Sequence, residues 1–570
     1  MSSTTPFRRL AGRLVVLTAV GLMAASSALP ALAKPTKAGF LTTQDAMLDV
    51  VATGGSAKAI MTVGETFQGF TMDALPDGIS FVPHGKGSVD IYLNHETSLV
   101  PFPLASTASA WLPTSQSTGS QNDYNNAQLS RIRLHQVSAG VLEGEYVIPS
   151  SANYQRFCSN FLATSEQGFD RRILFTNEEA TDFVDRTADA GAGEYVYPAL
   201  PATEPPNEQA GVVVAYDIDS GAYKTIYGMG RHNHENSVAI PGYDDLVLLS
   251  GDDTFAAPSS QLYSYVAEDT DAVWNDTGSL YAFKSDVSTI NDYGDLTGAA
   301  WVSGTMLLVP PAIANGPQGP LEAWSNENNV FQFIRIEDIA YDRNDNNVVY
   351  LADTGEPRAI PGVADGFGNP PRLARGPNVS PPVGAYPNGR IFKMTLNATD
   401  PLVVDRLEIL VDADAGGYNN PGVLHQPDNL ETTENSVMVQ EDPGSHNAGT
   451  PAKIWRYNLD TNAFTVVATV DQGADGEGTD VDGFADGAQG AWESSGIIDV
   501  SSVFGPGTFL VTVQASTLWV EKETDVADLP DDWTRNIAAP GGWTAGSDSH
   551  PDWMLKRSGG QLLLITIPGA

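Results

Sequence analysis

The stretch HENSVAIPGYDDLVLLSGDD, residues 234–253, decides the fold class. Two runs of nearly alternating apolar residues flank the turn-forming sequence Pro-Gly-Tyr-Asp-Asp, a pattern typical of two antiparallel strands joined by a hairpin. Charged and amide residues open the first run, and two aspartates close the second. The stretch therefore predicts a β-hairpin whose polar residues lie together at one end.

Similar blocks recur along the chain, and they begin near residues 77, 166, 235, 337, 428 and 493. Six blocks of about four strands predict an all-β fold, a six-bladed β-propeller. Long inserted loops separate the strands at residues 105–126, 185–209, 313–329 and 360–388. Because the spacing of the blocks is uneven, a pair of β-sandwiches or a β-helix remains an alternative.

The composition excludes several classes of protein. The 570 residues include 55 Gly and 37 Pro, which argues against a helical bundle, and the hydrophobic fraction of 42% argues against disorder. Acidic residues outnumber basic ones 70 to 30, giving a net charge of −40. Such a surface repels phosphate backbones, so we expect no nucleic-acid partner. The single cysteine excludes an internal disulfide.

The N-terminus reads as an export signal. Arg8, Arg9 and Arg13 precede a short apolar run at Leu14–Leu22, and Ala31-Leu32-Ala33 is a small-x-small cleavage site. We therefore expect residues 1–33 to be a signal peptide cleaved after about Ala33, and residues 34–570 to form one propeller domain. The arginine pair leaves the twin-arginine and the ordinary secretion route open. We expect an exported monomer without a membrane span.

Acids and amides recur where the ends of the blades should converge. At strand ends the sequence has Asn94-His95-Glu96, Asn177-Glu178-Glu179, Asp252-Asp253, Asp353 and Glu441-Asp442. At strand starts it has His234-Glu235-Asn236, Glu337-Asp338, Asp428-Asn429 and Glu493-Ser494. Carboxylates gathered at one mouth need cations, and Ca²⁺ suits oxygen ligands. The alternative is that these acids lie in solvated hairpin turns.

Cys158, Arg231 and Arg335 are further candidates. An exported protein seldom keeps a lone thiol unless it is buried or ligated, and a thiolate suits iron, zinc or copper. Cys158 is thus a buried small apolar residue or a metal ligand. Arg231 and Arg335 lie close in sequence to the acids at two strand starts, where an arginine could clamp an anion. The alternative for both is a solvated surface arginine.

At these residues the sequence resembles the PhoX-type bacterial alkaline phosphatases. The resemblance covers most of the chain from about residue 60. Its landmarks, in order, are LNHE (93–96), Cys158 ahead of LFTNEE (174–179), GRHNHEN (230–236), SGDD (250–253), RIED (335–338) and QPDN (426–429). The chain departs from the family at Ser159-Asn160-Phe161, where a glycine-containing turn is usual, and at Arg171–Leu174, where tryptophans are usual.

The resemblance implies a six-bladed propeller that holds Ca²⁺ and iron (Fe³⁺) at its axial mouth and hydrolyses phosphate monoesters. Carried onto this chain, Cys158 would bind iron. The carboxylate ligands would be Glu178, Glu179, Glu235, Glu337 and Asp428, with Asn94 and Glu96 beside them as further candidates. Arg231 and Arg335 would stabilise the transition state.

The expected function is thus that of an exported metal-dependent phosphomonoesterase acting on a small phosphoester. One alternative is a calcium-stabilised propeller without enzymatic activity that binds a partner through its long loops. Another is a different propeller hydrolase, similar to a lactonase or a phytase.

Overall fold

A computed structural model describes most of the chain after residue 37. The described residues are 38–72, 75–96, 127–181, 183–184, 186, 208–254, 260–363, 372–377, 379, 384–418, 420–443, 450–472, 490, 492–521, 549–550 and 554–570. Ala38–Ala570 make up one compact unit. The predicted signal peptide and its cleavage site lie outside the described residues.

The first blade is a meander of four antiparallel strands, preceded by four shorter ones. The strands are β1 (Leu48–Val50), β2 (Ser56–Thr62), β3 (Thr66–Phe67), β4 (Phe70–Thr71), β5 (Pro76–Gly85), β6 (Ser88–His95), β7 (Gln128–His135) and β8 (Val141–Ile148). The blade has the strand order β5-β6-β7-β8. Strand β7 alternates between buried and half-buried residues along most of its length, whereas β6 is buried at every residue after its first.

The second blade repeats this order with β9 (Phe157–Ala163), β10 (Ile173–Glu178), β13 (Val213–Asp217) and β14 (Tyr223–Ile226), and a separate ribbon pairs β11 (Phe183–Val184) with β12 (Glu208–Gln209). The third blade comprises β15 (His234–Ile240), β16 (Leu246–Asp252), β17 (Leu262–Ala267) and β18 (Ser279–Ser285). Helix α1 (Thr270–Trp274) joins its last two strands.

The fourth blade comprises β20 (Ile336–Tyr341), β21 (Val348–Asp353), β24 (Arg390–Asn397) and β25 (Asp400–Asp412). The elements around these strands are α2 (Tyr293–Leu296), β19 (Val302–Leu308), α3 (Pro311–Ala314), α4 (Gln318–Glu327), β22 (Ala359–Val363) and β23 (Arg372–Arg375). Strand β19 pairs with both β18 and β25, and it thereby merges the third and fourth blades into one nine-stranded sheet.

The last two blades are completed by strands from the N-terminal region. They contain β26 (Pro427–Thr432), β27 (Ser436–Glu441), β28 (Lys453–Asn458), β29 (Phe464–Val470), β30 (Trp492–Asp499), α5 (Ser501–Phe504), β31 (Thr508–Glu521), β32 (Ser549–His550) and β33 (Met554–Thr566). Strand β1 pairs with β29, and β2 pairs with β33. The sequence analysis did not predict these two N-terminal strands.

The innermost strands of the described blades contact one another in a closed ring, in the order β5, β9, β15, β20, β26 and β30, with β30 returning to β5. This arrangement makes the protein a β-propeller and confirms the predicted all-β class. Among the described residues, no helix has the length and the apolar character needed to cross a membrane.

Apolar side chains fill the space between the blades. In the largest cluster Phe283, Phe331, Phe333 and Phe392 pack with ring centroids 4.8 to 6.5 Å apart. All four rings are fully buried. Each contributes about 2 to 3 kcal/mol of transfer free energy, so the core keeps the inner strands, and the residues at their ends, in fixed positions.

Most predicted block starts fall within one residue of an innermost strand, but the second does not. Its innermost strand is β9, beginning at Phe157, whereas residues near 166 form a 3-10 turn. The polar Ser159 and Asn160 inside β9 hid its strand pattern. The predicted insert at 313–329 contains helix α4, and the inserts at 105–126 and most of 185–209 lie outside the described residues.

Candidate metal centre

Each innermost strand carries an acid or a thiol at its second residue. These residues are Asp77, Cys158, Glu235, Glu337, Asp428 and Glu493. The register shifts near the start of each innermost strand, as it does between His234 and Ser237 in the third blade. Such bulges re-aim side chains at strand ends. The six equivalent positions therefore bring their side chains to the same end of the axis.

A second set of acids follows the second strand of four blades. These residues are Glu96, Glu179, Asp253 and Asp442. The backbone N–H of each donates to the carbonyl of the residue just before the innermost strand, as Glu179 does to Arg156 at 2.9 Å and Asp253 does to Asn233 at 3.0 Å. These bonds place the second set beside the first. We call the two sets together the axial cluster.

The ligand atoms of the axial cluster lie close together. Three overlapping groups each have such atoms within 4.8 Å of one another, namely Asp77, Glu96 and Cys158, then Cys158, Glu179 and Glu235, then Glu235, Asp253 and Glu337. Cys158 Sγ lies 3.0 Å from Asp77 Oδ2. The overlap makes Cys158 and Glu235 the links between the groups, so these seven residues of the cluster form one continuous set.

The electrostatics of the axial cluster oppose ionisation. Burial, followed by the charge of Asp77, raises the pKa of Glu96 to about 8. Burial, followed by the neighbouring carboxylates, raises the pKa values of Glu235 and of the Cys158 thiol well above their usual ranges. A shift of this kind means that the charged forms need a cation partner.

Several buried oxygens of the cluster have no hydrogen-bond partner within the described part of the chain. Glu235 is 1% exposed, and both of its carboxylate oxygens lack one, as do Asp77 Oδ1 and Asp428 Oδ1. A buried polar atom without a partner costs about 1 to 3 kcal/mol, and more when it is charged. A cation bound between these carboxylates would give the unpartnered oxygens a partner and offset their negative charge. Carboxylate oxygens suit Ca²⁺, and the thiol of Cys158 suits a softer metal such as iron.

Arg335 contacts the axial cluster, and two of the cluster's carboxylates engage its guanidinium. Its Nε and Nη2 donate to the two oxygens of Asp253 at 2.6 and 3.0 Å, and Nη2 also lies 2.7 Å from Glu337 Oε1. A bidentate pair of this kind fixes both carboxylates in position. The geometry therefore makes Arg335 a residue that positions two candidate ligands.

The structure places two predicted ligands, Glu178 and Asn94, behind the cluster. Strand residues alternate in direction, so Glu178 points away when Glu179 faces the axis. The oxygens of Glu178 accept from Gln155 N at 2.7 Å, from Gly211 N at 2.8 Å and from Arg186 Nη2 at 2.7 Å. Glu178 is therefore bound within the protein and no longer a candidate ligand.

Asn94 also has its polar atoms occupied. Its amide group donates to the carbonyls of Cys158 and Ser159, and its Oδ1 accepts from Asn160 and Thr176 at 3.1 Å each. Asn94 thus holds the backbone beside Cys158 and is not free to bind a metal through this oxygen.

Arg231 lies away from the axial carboxylates. Its contacts within the described residues are to Gln209 O at 2.9 Å, to Glu208 Oε2 at 3.3 Å and to the ring of Tyr227, whose centroid is 4.8 Å away. Arg231 precedes Glu235 by four residues, and the turn between them directs its side chain to the β12 region. The prediction that it clamps an anion at the mouth is wrong.

The sequence analysis left several residues of the site out of its candidate ligands. Asp253, Asp442 and Glu493 were in the recurring acid set, whereas Asp77 was not singled out. Its signal was positional, because it precedes its strand's apolar run as Glu235 does. No sequence pattern pointed to Gln514, because it lies inside strand β31 and not at the start or end of a strand. Its Nε2 donates to Glu96 Oε1 at 2.6 Å and to Asp77 Oδ2 at 3.0 Å.

Comparison with known proteins gives distant structural likeness alone. No family model matches the sequence, and no curated protein matches it. Solved structures with a similar fold include a point mutant of NanB sialidase from Streptococcus pneumoniae, with a TM-score of 0.36 and 7% identity over 80% of this chain and 66% of that one.

Two further solved structures match over a smaller share of this chain. One is an endo-arabinase from Bacteroides thetaiotaomicron, with a TM-score of 0.28 and 9% identity over 72% of this chain and 97% of that one. The other is a family 117 glycoside hydrolase from Zobellia galactanivorans, with a TM-score of 0.25 and 10% identity over 62% and 90%. Similarity at this level assigns no activity to this chain.

Proposed function

We propose that this protein holds calcium and iron in its axial cluster and hydrolyses phosphate monoesters there. The observation that carries the proposal is Glu235, a buried carboxylate with both oxygens unpartnered, within 4.8 Å of the ligand atoms of Cys158 and Glu179. Hard oxygen donors and a thiolate in one cluster fit a mixed set of metals. The ordered landmarks shared with the PhoX-type phosphatases point to the same chemistry.

The residues of the chain have separate parts in this proposal. Cys158 and Glu179 would hold iron, with Glu235 between it and the calcium ligands Glu337 and Asp253. Arg335 keeps the last two carboxylates in place. Gln514 donates a hydrogen bond to Glu96, and Asn94 donates one to the carbonyl of Cys158. These bonds keep Glu96 and Cys158 in position.

The cations also resolve the conflict between an acidic protein and an anionic substrate. The chain carries a net charge of −40, which repels a phosphate monoester from most of its surface. When bound, the metal ions supply the positive charge and the Lewis acidity that hydrolysis of a phosphate ester needs. The mouth of the propeller would then be the place on the chain that attracts the substrate.

Two measurements on the purified protein test the proposal. Elemental analysis should find stoichiometric calcium and iron, and p-nitrophenyl phosphate should be hydrolysed until a chelator removes the metals. Full turnover after complete metal removal would refute a metal-dependent reaction. Bound calcium without iron and without turnover on any phosphoester would instead support a calcium-stabilised binding protein.

Matched variants connect the metals to named residues. Cys158→Ser should abolish bound iron and leave calcium in place, whereas Asp244→Asn, which changes an exposed acid on a surface turn, should change neither. Unchanged iron in Cys158→Ser would remove the thiol from the site. A substrate panel with lactones, phytate and glycosides separates the phosphomonoesterase from other hydrolases.

A further inference from the structure

A cavity of about 250 Å³ lies beside the axial cluster, on the side away from the mouth. All six innermost strands line it, which places it on the axis of the propeller. Glu166 and Arg343, which are both exposed, line its outer end. We call it the axial cavity. Its wall includes the residues that directly follow five members of the cluster, namely Gly78, Ser159, Asn236, Asp338 and Asn429.

The wall of the axial cavity suits water and cations. Each innermost strand is the edge strand of its sheet, so backbone N–H and C=O groups outside the ladder face the axis. Arg343 Nη2 donates to Glu431 Oε1 at 2.6 Å, which offsets the charge of the guanidinium. The other charged residues of the wall are Glu166 and Asp338. This excess of carboxyl groups attracts cations and repels anions, and the cavity is large enough for several water molecules.

One hydrogen bond crosses the axis where the axial cavity meets the cluster. Asn429 Nδ2 donates to Ser159 Oγ at 2.9 Å. Asn429 belongs to the fifth blade and Ser159 to the second, and these blades face each other across the ring of six innermost strands. Both residues are buried, and each directly follows a cluster residue. The bond therefore spans the axis between the cluster and the cavity.

Glycines bring the strands on one side of this bond into backbone contact. A Cβ placed on Gly78 would lie 2.5 Å from Asn160 N, and one placed on Gly496 would overlap Asp77 O. The innermost strands of the first, second and sixth blades are therefore pressed together at this level. An ion has no room to pass between them.

Asp338 closes the other side of the axis. Its Oδ1 accepts from Asn236 Nδ2, and its Oδ2 accepts from Leu430 N at 2.7 Å. These bonds link the third, fourth and fifth blades. Within the described part of the chain, this leaves the bond between Asn429 and Ser159 as the contact that an ion must separate to pass from the cavity to the cluster.

We propose that the axial cavity is a route by which Ca²⁺ reaches and leaves the axial cluster, and that the bond between Asn429 and Ser159 is the gate of this route. The inference rests on the proposed function, which places Ca²⁺ in the cluster. Asn429 is 2% exposed, and its Oδ1 has no hydrogen-bond partner among the described residues, as is also true of Asp428 Oδ1. An ion that passes the gate would thus meet an amide oxygen and then a carboxylate oxygen, both of which suit Ca²⁺.

The experiment measures the kinetics of Ca²⁺ exchange in the full chain. Stopped flow with a fluorescent chelator gives the dissociation rate, mixing of the stripped protein with Ca²⁺ gives the association rate, and titration gives Kd. Ser159→Ala removes the acceptor of the gate bond and keeps the amide oxygen of Asn429. We expect both rates to rise by the same factor, about 3- to 10-fold for one lost hydrogen bond, and Kd to stay unchanged. A purely structural role of the bond would change Kd instead.

Two further variants complete the test. Ala340 is a half-buried residue of β20 that lines the axial cavity, so Ala340→Trp should fill the cavity and slow both rates. Ser80→Ala is the matched control, because Ser80 is also buried in the wall but bonds to Asn160 of the neighbouring blade and not across the axis. It should exchange Ca²⁺ at the rates of the wild type.

The outcomes separate this inference from the proposed function. If the wild type binds no Ca²⁺, the proposed metal centre fails and the gate fails with it. If the wild type binds Ca²⁺ and both Ser159→Ala and Ala340→Trp exchange it at unchanged rates, the ions use the mouth, so the inference is wrong and the proposed function stands. A change of Kd in Ser159→Ala that accounts for its change in rate would also overturn the gate. Should one of these two variants fail to fold, the other decides.

Discussion

Replacing Glu235 by glutamine should change the stability of the protein in opposite directions with and without metal. In the metal-free protein the variant removes a buried carboxylate from a site that it shares with Glu337 and Asp253. If Ca²⁺ binds as proposed, the same change removes one of its ligands. A purely structural glutamate would lose stability in both conditions, so the sign of the effect separates the two roles.

The magnitude follows from the separation of the charges. Two unit charges 4.8 Å apart at an effective dielectric constant of about 20 repel by about 3 kcal/mol. Because neighbours of Glu235 take up protons to relieve this repulsion, we expect Glu235→Gln to gain about 1 to 3 kcal/mol of unfolding free energy in chelator at pH 8. In excess Ca²⁺, a tenfold to hundredfold loss of affinity should cost about 1 to 3 kcal/mol.

The assay is urea unfolding of the variant and the wild type, each in chelator and in excess Ca²⁺. Glu178→Gln is the matched control, because Glu178 is equally buried but bonds to Arg186 and to backbone N–H groups. It should lose about 3 kcal/mol in both conditions. If Glu235→Gln is destabilised to the same extent with and without Ca²⁺, the reasoning about the axial cluster is wrong.

Two further predictions concern parts of the fold away from the cluster. Met61→Ala truncates a fully buried side chain of β2. It should lower the unfolding free energy, measured by urea titration, by about 2 to 5 kcal/mol. A loss below about 1 kcal/mol would show that β2 does not hold the ring closed. Burial raises the pKa of Asp414 to about 6. Because the folded-state pKa lies above the unfolded one, the protonated carboxyl stabilises the fold at low pH, and this stabilisation is lost as the pH rises through about 6. The unfolding free energy should fall by about 3 kcal/mol in all. Asp414→Asn should flatten the fall in stability between pH 4 and pH 7, and an unchanged pH profile would exclude Asp414 as its source.

The sequence predicted the parts of the fold that repeat visibly. Strand pairs such as β15 and β16 are apolar runs joined by a recognisable turn, so the third block was placed within one residue of its strand. Strand β9 was not predicted because Ser159 and Asn160 interrupt its apolar pattern. These two side chains bond to Asn429 of the fifth blade and to Ser80 of the first blade. The pairings of β1 and β2 join segments hundreds of residues apart, and local pattern carries no information about such contacts.

The candidate site was predicted as a region, and its members depend on side-chain direction. Glu178 and Glu179 are the same residue type, but strand alternation points Glu179 to the axis and Glu178 to Arg186. Arg231 and Arg335 are both arginines shortly before a cluster residue, but Arg335 bonds to Asp253 and Glu337 whereas Arg231 bonds to Glu208 and Gln209. Knowledge of which residue begins each inner strand would have separated these pairs.

The pairing of β2 with β33 joins a strand near residue 60 to the last strand described, about 500 residues later in the sequence. This pairing completes the last sheet, whose innermost strand β30 contacts β5 of the first blade, and Asp77 lies close enough to Glu493 there for their charges to interact. A chain released early from the ribosome, without its last strand, would carry every candidate ligand and still lack the closed ring that brings them together. Loading with metal should therefore report on completed synthesis, and a circular permutant opened elsewhere in the ring should regain it.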